Sequence, residues 1–308
     1  MITLDHVSCR FGGFTAVDDL SLEVVEGAFC VLIGPSGCGK STTLRLINRL
    51  AERSGGSIRV GGADIDSLNP EDLRRRMGYA IQSVGLFPHW TVARNIATVP
   101  TLLGWPRDRI VARVEELLDL LQLDAARFRD QYPDQLSGGQ QQRVGVARAL
   151  AADPDVLLMD EPFGALDPIT RDALQDEMLR IQRATGKTII FVTHDMDEAL
   201  KLATQMVLLD RGRLVQSGTP IEILTQPASP FVHSFVGRSE FGLKLLAVRA
   251  VADRMRQGAA AEGEAVSGST SLRTALSEMV ARGTDRLAVA DDAGHPVGAV
   301  FLDDLVRP

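Results

Sequence analysis

The sequence predicts an α/β protein with a mainly parallel sheet, followed by a smaller α+β module. Over roughly the first 235 residues, short apolar and β-branched runs alternate with segments of helical periodicity, which is the pattern of such a sheet. A glycine-rich phosphate-loop motif follows one apolar run, and the composition changes after Gly237. At ~150 residues per domain, the 308 residues correspond to about two domains.

Five apolar runs are the predicted strands of the sheet, at residues 29–33, 77–81, 156–159, 188–192 and 206–209. Between the second and the third of these runs, residues 84–154 have mainly helical patterns. The clearest helix is at 107–121, where one face is charged and the other consists of Ile110, Val114, Leu117, Leu118 and Leu121. The sequence therefore predicts a helical subdomain inserted into the α/β core.

Beyond Gly237 the sequence predicts a separate small module. An Ala- and Arg-rich helical pattern covers residues 247–255, and the Gly, Ala, Glu and Ser run at 258–271 is predicted to be a flexible loop or linker. The elements expected after it are a helix at 272–283 and strands at 287–290 and 297–302 around a turn at 291–294. The predicted domains are 1–237, 238–271 and 272–308.

Composition and charge exclude several classes of protein. The chain is 45% hydrophobic and 24% charged, with a mean hydropathy of +0.04, which is typical of a globular protein rather than a disordered, collagen-like or disulfide-stapled chain. The net charge of −7 and the isoelectric point near 5.3 disfavour nucleic-acid binding, because that function needs clustered Lys and Arg. No nucleic-acid partner is therefore expected.

Cysteine spacing and the lengths of the apolar runs predict a protein of the reducing cytosol. Cys9, Cys30 and Cys38 have neither CxxC spacing nor an even number, so neither a disulfide framework nor a zinc site is expected. The N-terminus lacks the basic and apolar pattern of a signal peptide. The apolar runs are far shorter than the ~20 residues of a membrane helix, so no membrane span is expected.

Residues 34–41 have the GxxxxGK[ST] pattern of a phosphate-binding loop between a strand and a helix. Its glycines allow successive N–H groups to surround phosphate oxygens at the helix N-terminus. Lys40 is predicted to reach the β- and γ-phosphates, Ser41 to bind Mg²⁺, and the helix N-terminus to lower the pKa of the Cys38 thiol. The predicted nucleotide-binding residues here are Gly34, Pro35, Ser36, Gly37, Cys38, Gly39, Lys40, Ser41 and Thr42.

Two acidic residues follow the predicted strand at 156–159. Asp160 is placed to hold Mg²⁺, and Glu161 is placed to orient or deprotonate an attacking water. A second predicted helix N-terminus supplies a hydroxyl and further N–H groups for an anion, from Ser137, Gly138, Gly139 and Gln140. The sequence therefore predicts hydrolysis of a Mg²⁺-bound nucleotide.

The order of these motifs, above all LSGGQ at residues 136–140, resembles the nucleotide-binding subunits of ABC transporters over the first predicted domain. The resemblance implies a P-loop NTPase cassette with a RecA-like core and a helical subdomain, and ATP and Mg²⁺ as cofactors. It also implies a head-to-tail homodimer in which each ATP lies between the phosphate loop of one subunit and the LSGGQ motif of the other.

The same resemblance implies four further roles. Phe11 would stack on the adenine, and Gln82 would contact Mg²⁺ and water. Asp167 would lie in a loop that crosses the dimer interface, and His194 would contact the γ-phosphate. The residues themselves leave open a core position for Phe11, an ordinary surface amide for Gln82 and a structural role for His194. Asp167 is also a good helix N-cap, and the two roles are compatible.

Residues 82–92, 95–100 and 103–105 are similar to the segment after the loop glutamine in ABC importers of osmoprotectants such as glycine betaine, choline and related quaternary amines. In that family the segment contacts the coupling helix of the membrane subunit; the alternative is that Leu86, Phe87 and Trp90 are core residues. Residues 272–305 resemble one CBS motif, where relatives often have two. One copy leaves open whether the module binds an adenine nucleotide, senses ionic strength or forms a dimerisation lid without a ligand.

The resemblance thus implies an ATPase subunit, peripheral at the cytoplasmic face of the inner membrane, that energises osmoprotectant import. Its expected partners are integral-membrane permease subunits and a solute-binding protein. Import of methionine, polyamine or sulfate is the alternative within this family. A soluble DNA-repair ABC protein would have a long coiled-coil insertion, and a ribosome-associated one would have two cassettes and a basic linker; the sequence has neither.

Overall fold

The computed structural model describes residues 1–81, 85–164, 166–237, 240–291 and 293–306. The chain folds as two compact units, Met1–Ser217 and Gly218–Pro308. The boundary therefore lies before Gly218, whereas the composition placed it after Gly237. The physical reason is that the buried ammonium group of Lys244 donates to the carbonyl of Val236 at 2.6 Å, which joins the two sides of the expected boundary.

Two sheets and the helices packed on them make up the described part of the first unit. Its strands, in chain order, are β1 (Ile2–Phe11), β2 (Phe14–Val24), β3 (Phe29–Ile33), β4 (Gly55–Val60), β5 (Ala63–Asp64), β6 (Met77–Ala80), β7 (Val156–Asp160), β8 (Thr188–Val192), β9 (Gln205–Asp210) and β10 (Arg213–Gly218). Its helices are α1 (Lys40–Ile47), α2 (Pro70–Arg75), α3 (Val92–Ile96), α4 (Thr98–Leu102), α5 (Arg107–Leu120), α6 (Ala125–Phe128), α7 (Gly138–Leu150), α8 (Pro168–Thr185) and α9 (Met196–Leu202).

A six-stranded sheet in the order β10-β9-β3-β8-β7-β6 forms the centre of this unit, and its strands from β9 to β6 are parallel. β3, β7 and β8 are buried at every position, which explains their continuous apolar sequences. The five predicted strands are confirmed as β3, β6, β7, β8 and β9. Because the carboxyl ends of parallel strands share one edge of the sheet, the segments after β3, β7 and β8 emerge side by side there.

The second sheet of the first unit is antiparallel, in the order β2-β1-β4-β5, and the sequence patterns did not predict it. Bulges interrupt the pairing of β1 with β2, and His6 and Asp19 adopt left-handed φ angles of 50° and 55°. Such bulges break the period of two by which a half-buried strand is identified. Leu44 of α1 shares a core cluster with Ile2 of β1 and Leu158 of β7, and burying each such side chain contributes about 1.5–3 kcal/mol.

The segment between β6 and β7 is mainly helical, as expected. The helix predicted at 107–121 is α5, and the buried side chains Val114, Leu117 and Leu118 lie on its apolar face. α5 packs against α7, which in turn packs on β6. The helical subdomain thus connects to the sheet through the helix that begins at the LSGGQ motif.

The second unit contains α10 (Pro220–Thr225), α11 (Pro230–Val236), α12 (Phe241–Val248), β11 (Arg256–Gln257), β12 (Val266–Ser267), α13 (Leu272–Arg282), β13 (Arg286–Ala290), β14 (Pro296–Phe301) and α14 (Leu302–Val306). Its sheet has the order β11-β14-β13-β12, with β12 parallel to β13 and β13 antiparallel to β14. The helix and the two strands predicted after residue 271 are thus found as α13, β13 and β14.

Two expectations for the second unit are wrong. The pattern at 247–255 is not one helix, because Arg249 and Ala250 have extended backbones and a short 3-10 turn, Val251–Asp253, follows them. The run at 258–271 is not linker throughout, since β12 lies within it and pairs with β13. The local sequence of this segment has only a weak preference for helix or strand. Its structure is determined instead by packing in the hydrophobic cluster that contains Val251 and Leu272.

Candidate nucleotide-binding and hydrolysis site

The phosphate-loop motif forms a tight turn between β3 and α1. Gly34 and Gly39 have φ angles of 152° and 106°, and a Cβ atom on them would lie 2.1 Å from the carbonyl oxygen of Leu209 and 2.5 Å from that of Ala16. Both positions therefore require glycine, for their conformation and for the close approach of the backbone. The turn leaves the N-terminus of α1 facing the loop, which favours an anion.

Lys40 holds the loop together from inside. Its buried ammonium group donates to the carbonyl oxygens of Gly34 at 2.8 Å and Pro35 at 3.0 Å. A buried positive charge at a helix N-terminus fits a ligand with several negative charges, because each phosphate oxygen would offset part of the cost of burying the ammonium. The arrangement suits the polyphosphate of a nucleotide.

The expectation for Cys38 is wrong. Burial raises the pKa of its thiol, and the nearby charge of Lys40 lowers that pKa by a smaller amount. The side chain is only 3% exposed, so its thiolate would be poorly solvated. Desolvation thus outweighs the helix N-terminus on which the sequence argument relied.

Ser41 and Asp160 meet across the site. The Ser41 hydroxyl donates to a carboxylate oxygen of Asp160 at 2.7 Å, and Asp160 is the last residue of β7. Burial raises the pKa of the Asp160 carboxyl, and the hydrogen bond from Ser41 opposes this only in part. A hydroxyl and a carboxylate are oxygen ligands of the kind that Mg²⁺ prefers, and a divalent cation beside them would stabilise the ionised carboxylate. These residues therefore fit a magnesium ion.

Glu161 and His194 lie at the ends of the neighbouring strands β7 and β8. Nδ1 of His194 is 3.3 Å from a carboxylate oxygen of Glu161, and the backbone N–H of Glu161 donates to Val192 at 3.0 Å. Glu161 has a left-handed φ of 46°, which turns the chain sharply after the buried Asp160. The Glu161 side chain is 23% exposed and that of His194 is 63% exposed, so both are accessible to water.

The residues of the LSGGQ motif begin α7. Ser137 and Gln140 form a reciprocal capping box, in which the Ser137 hydroxyl accepts from the Gln140 N–H at 3.3 Å and the Gln140 side chain accepts from the Ser137 N–H at 2.9 Å. A Cβ atom on Gly139 would lie 3.2 Å from a methyl group of Thr170. Gly138 is exposed, and a Cβ there would meet nothing within 4 Å.

Asp167 is the N-cap of α8. Its carboxylate accepts from the Thr170 N–H at 3.0 Å, and the hydrogen bonds to Thr170 lower its pKa. Since Gly139 also packs against Thr170, the starts of α7 and α8 are neighbours. The structure thus brings the LSGGQ motif beside Asp167, and separately brings Ser41, Asp160, Glu161 and His194 to one sheet edge.

Phe11 is exposed rather than in the core. It ends β1, is 55% exposed, and lines an open cleft of about 470 Å³ together with Thr42, Arg45 and Leu50. The cleft offers a ring and a helix surface at which a flat aromatic ligand could pack. Gln82 lies outside the described residues.

Sequence reasoning missed several polar side chains around the site. Arg45 hydrogen-bonds Tyr79, and its charge lowers the pKa of Asp160. Arg171 lies 3.7 Å from Asp195, the residue after His194. The detectable signal was the capping pattern Asp195-x-x-Glu198, in which Asp195 accepts from the backbone N–H of Glu198 at 3.2 Å.

An aromatic cluster lies in the turn at residues 87–90, directly before α3. The rings of Phe87 and Trp90 are 4.3 Å apart, and the guanidinium of Arg94 lies 4.4 Å above Trp90. The buried side chain of Asn95 fixes this turn by donating to the carbonyls of Phe87 and Trp90, each at 3.1 Å. Phe87 is 38% exposed, so the cluster is in part a surface feature.

Among the described residues, no helix combines the length and the apolar character that crossing a membrane would require.

The ABC transporter family profile matches residues 17–164. The glycine betaine uptake system ATP-binding protein YehX of Escherichia coli K12 is 59% identical over 99% of each chain. The glycine betaine/carnitine/choline transport ATP-binding protein OpuCA of Bacillus subtilis 168 is 49% identical over 94% of this chain and 76% of its own.

Solved structures agree with these matches. The dimeric, post-hydrolysis structure of the ATP-binding cassette MJ0796 bound to ADP and Pi has a TM-score of 0.65 and 31% identity, and covers 71% of this chain and 98% of its own. The similarity thus extends from the sequence of the phosphate loop to the arrangement of the sheet that carries it. From these matches, and from the phosphate loop, carboxylates and histidine that its strand ends bring together, the chain belongs to the ABC transporter family of ATP-binding proteins.

Proposed function

We propose that this ATPase energises the import of glycine betaine or a related quaternary-amine osmoprotectant through a membrane permease. The ATPase activity follows from the family. The observation that carries the choice of solute is the 59% identity with a glycine betaine uptake subunit over 99% of both chains, which includes residues far outside the nucleotide-binding motifs.

In this proposal ATP binds across the edge of the parallel sheet. Phe11 stacks on the adenine, the loop of residues 34–42 surrounds the phosphates with the backbone N–H groups of its residues other than Pro35, and Lys40 faces the phosphate charge. Ser41 and Asp160, which touch at 2.7 Å, would hold Mg²⁺ together with Gln82. The metal would neutralise charge on the phosphates when bound. The fit of hydroxyl and carboxylate oxygens supports this assignment.

Hydrolysis needs a base near the γ-phosphate. Glu161 accepts a proton from a water molecule whose oxygen attacks the γ-phosphorus, the bond from that phosphorus to the β–γ bridging oxygen breaks, and ADP and phosphate result. Nδ1 of His194 lies 3.3 Å from the Glu161 carboxylate, and the exposed ring of His194 would contact the γ-phosphate of a bound ATP. The position of both residues at adjacent strand ends supports these roles.

A head-to-tail homodimer completes each site in this proposal. The partner subunit contributes its own LSGGQ motif at residues 136–140 to the γ-phosphate, and Asp167 crosses the interface. Two features support it: the exposed start of α7, and the 84% exposure of Ile169 beside Asp167, which is unusual for an apolar side chain unless a partner covers it.

The permease contact is proposed at the aromatic cluster of residues 87–90. Its partly exposed rings sit on a turn fixed by Asn95, which suits a surface that transmits motion. The chain would then lie at the cytoplasmic face of the membrane, and a solute-binding protein would deliver the amine to the permease. The negative net charge supports the absence of a nucleic-acid partner.

For the C-terminal module we retain the proposal of one CBS-like motif. The order β12-α13-β13-β14-α14, with β12 parallel and β14 antiparallel to β13, is compatible with it. Two such modules would pair across the dimer to form a cleft for an adenine nucleotide or a sensor of ionic strength.

Uptake by the reconstituted complex tests the proposed solute. The chain, its permease and its solute-binding protein would be placed in proteoliposomes, and ATP-dependent uptake of labelled glycine betaine would be compared with that of methionine, a polyamine and sulfate. We expect uptake of the quaternary amine alone, abolished by Glu161→Gln. Uptake of sulfate, methionine or polyamine without glycine betaine would contradict the proposed solute and leave the ATPase assignment intact.

A further inference from the structure

Arg171 lies between two loops that carry proposed functional residues. On one side its Nη2 atom donates to the carbonyl oxygen of Leu166 at 3.1 Å, directly before Asp167. On the other side its Nη1 atom lies 3.7 Å from the Asp195 carboxylate, directly after His194. A single guanidinium therefore contacts the loop that would cross the dimer interface and the loop that holds the histidine.

The Asp167 side of this link is rigid. Arg171 is in the first turn of α8, and its backbone N–H donates to the Asp167 carbonyl at 2.9 Å. The Asp167 carboxylate caps the same turn through Thr170. Backbone and side chain of Arg171 thus both hold residues 166–167, so displacement of that loop moves the guanidinium.

The His194 side is equally well defined. One oxygen of Asp195 caps α9 through the N–H groups of Asp197 and Glu198, while the other oxygen faces Arg171. The N–H of Asp195 donates to the hydroxyl of the buried Thr193 at 3.0 Å. Hydrogen bonds therefore hold the residues on both sides of His194, and the Asp195 carboxylate links them to the start of α9 and to Arg171.

A buried hydrogen bond between side chains of α8 and α9 lies next to the contacts of Arg171. Gln175 donates to the Glu198 carboxylate at 3.0 Å, and both side chains are less than 10% exposed, at 4% and 7%. This contact joins α8 to α9 one turn beyond Arg171. In the described part of the chain, the Nε group of Arg171 is buried without a hydrogen-bond partner, so the side chain is held although one of its donors is unsatisfied.

We infer that Arg171 is a positioning residue that couples the Asp167 loop to His194, so that closure of the dimer sets the histidine against Glu161. The inference rests on the roles proposed above for Glu161, His194 and Asp167. Arg171 acts through Asp195 and does not itself touch the nucleotide. One hydrogen bond and one ion pair on the same guanidinium provide the physical link that such coupling needs.

The test is a mutant cycle on the ATPase activity of the full-length chain. Arg171→Gln removes the charge and the double contact, and Asp195→Asn removes the charge while its amide oxygen can still cap α9. We expect each variant to lower kcat about ten-fold with KM for ATP within about two-fold of the wild type, because a misplaced group costs rate rather than binding. The double variant should be no slower than the slower single variant.

Two further measurements separate positioning from general stability. In a His194→Ala background, Arg171→Gln should cause no additional loss of kcat, whereas a general structural defect would reduce both backgrounds alike. Arg183→Gln, an exposed arginine in the last turn of the same helix, is the matched control and should keep the wild-type kcat. Circular dichroism and the affinity for a fluorescent ATP analogue show whether each variant is folded.

Wild-type kcat in folded Arg171→Gln would overturn the inference. So would losses that multiply in the double variant, or an equal loss in the His194→Ala background. Glu161→Gln is measured beside them: if it retained full turnover, the proposed catalytic assignment itself would fail, whereas its inactivity combined with a normal Arg171→Gln would reject only the coupling.

Discussion

The carboxylate of Glu161 is held 3.3 Å from Nδ1 of His194, at the ends of two strands that are adjacent in the sheet, although the two residues are 33 positions apart in the sequence (194 − 161). The pairing of Asp160 with Val192 sets this distance, because it places the residues that follow both strands at the same level. The contact therefore follows from the register of a parallel sheet. It predicts that altering either side chain affects the chemical step more than nucleotide binding.

Glu161→Gln is expected to lower kcat about 100-fold or more while ATP still binds, since the amide keeps the shape of the side chain but cannot accept a proton. The variant should accumulate as an ATP-bound dimer. Steady-state hydrolysis and size-exclusion chromatography with Mg-ATP measure the two effects. Glu23→Gln, on the exposed side of β2, is the control, and turnover at the wild-type rate in Glu161→Gln would disprove the assignment of the base.

Lys40→Ala should instead reduce nucleotide binding. The change removes the ammonium group that is held by the Gly34 and Pro35 carbonyls, and hydrogen bonds to charged groups are worth about 1.5–3 kcal/mol each, or roughly ten- to hundred-fold in affinity. Fluorescence titration with an ATP analogue measures the loss. An unchanged dissociation constant in the folded variant would show that Lys40 serves only the loop.

Ser41→Ala is predicted to increase the Mg²⁺ concentration needed for half-maximal activity by about ten-fold or more, because metal sites lose affinity of this order when their supporting groups are removed. The variant also leaves the buried Asp160 without the hydroxyl that now donates to it at 2.7 Å. Ser41→Thr keeps a hydroxyl and serves as the matched control. Identical Mg²⁺ titrations for wild type and Ser41→Ala would remove Ser41 from the metal site.

The Cys38 thiol should react with iodoacetamide more slowly at pH 7 than a free cysteine. Because burial raises its pKa, the reactive thiolate is scarce at neutral pH, and the labelling rate should continue to rise above pH 9, where that of a free thiol levels off. Labelling should inactivate the ATPase and be slowed by Mg-ATP. Cys38→Ala gives the background from Cys9 and Cys30, which are fully buried. A labelling rate that levels off at the same pH as that of a free thiol would contradict the raised pKa.

The parallel sheet could be predicted from sequence, and the residues of the candidate site could be placed at its strand ends, because the signals are local. Buried strands such as β3 and β7 are continuous apolar runs, and chemistry-bearing residues directly follow them. The antiparallel sheet could not, since the bulges at His6 and Asp19 remove the alternation that identifies a half-buried strand. Sequence patterns thus predict strands that are buried at every position better than strands that are half-buried and bulged.

The pKa shifts and the contacts between residues distant in the sequence could not be predicted. The helix N-terminus argued for a low pKa at Cys38, but burial depends on tertiary packing that a single sequence does not reveal. Arg171 and Asp195 are 24 positions apart (195 − 171), so neither indicates the other by spacing. The division into compact units also differs from the predicted domain bounds, because Lys244 donates to Val236 across the predicted boundary at residue 237.

That contact yields a prediction about truncation. Every proposed nucleotide-binding and catalytic residue precedes residue 218, so a chain ending at Thr219 should fold and keep basal ATP hydrolysis within about three-fold of the full-length rate, as expected for a cut at a domain boundary. A chain ending at residue 239 should be less stable, because it loses Lys244 and Phe241 but retains α10 and α11, whose buried Leu224 and Val236 would become exposed. Thermal melting and ATPase assays of both chains, beside the full-length protein, measure the difference. If the chain ending at 239 were as stable as the one ending at 219, the second unit would not fold as the structure describes. Sedimentation of the truncated and full-length chains without nucleotide separately shows whether the C-terminal unit contributes to association between subunits.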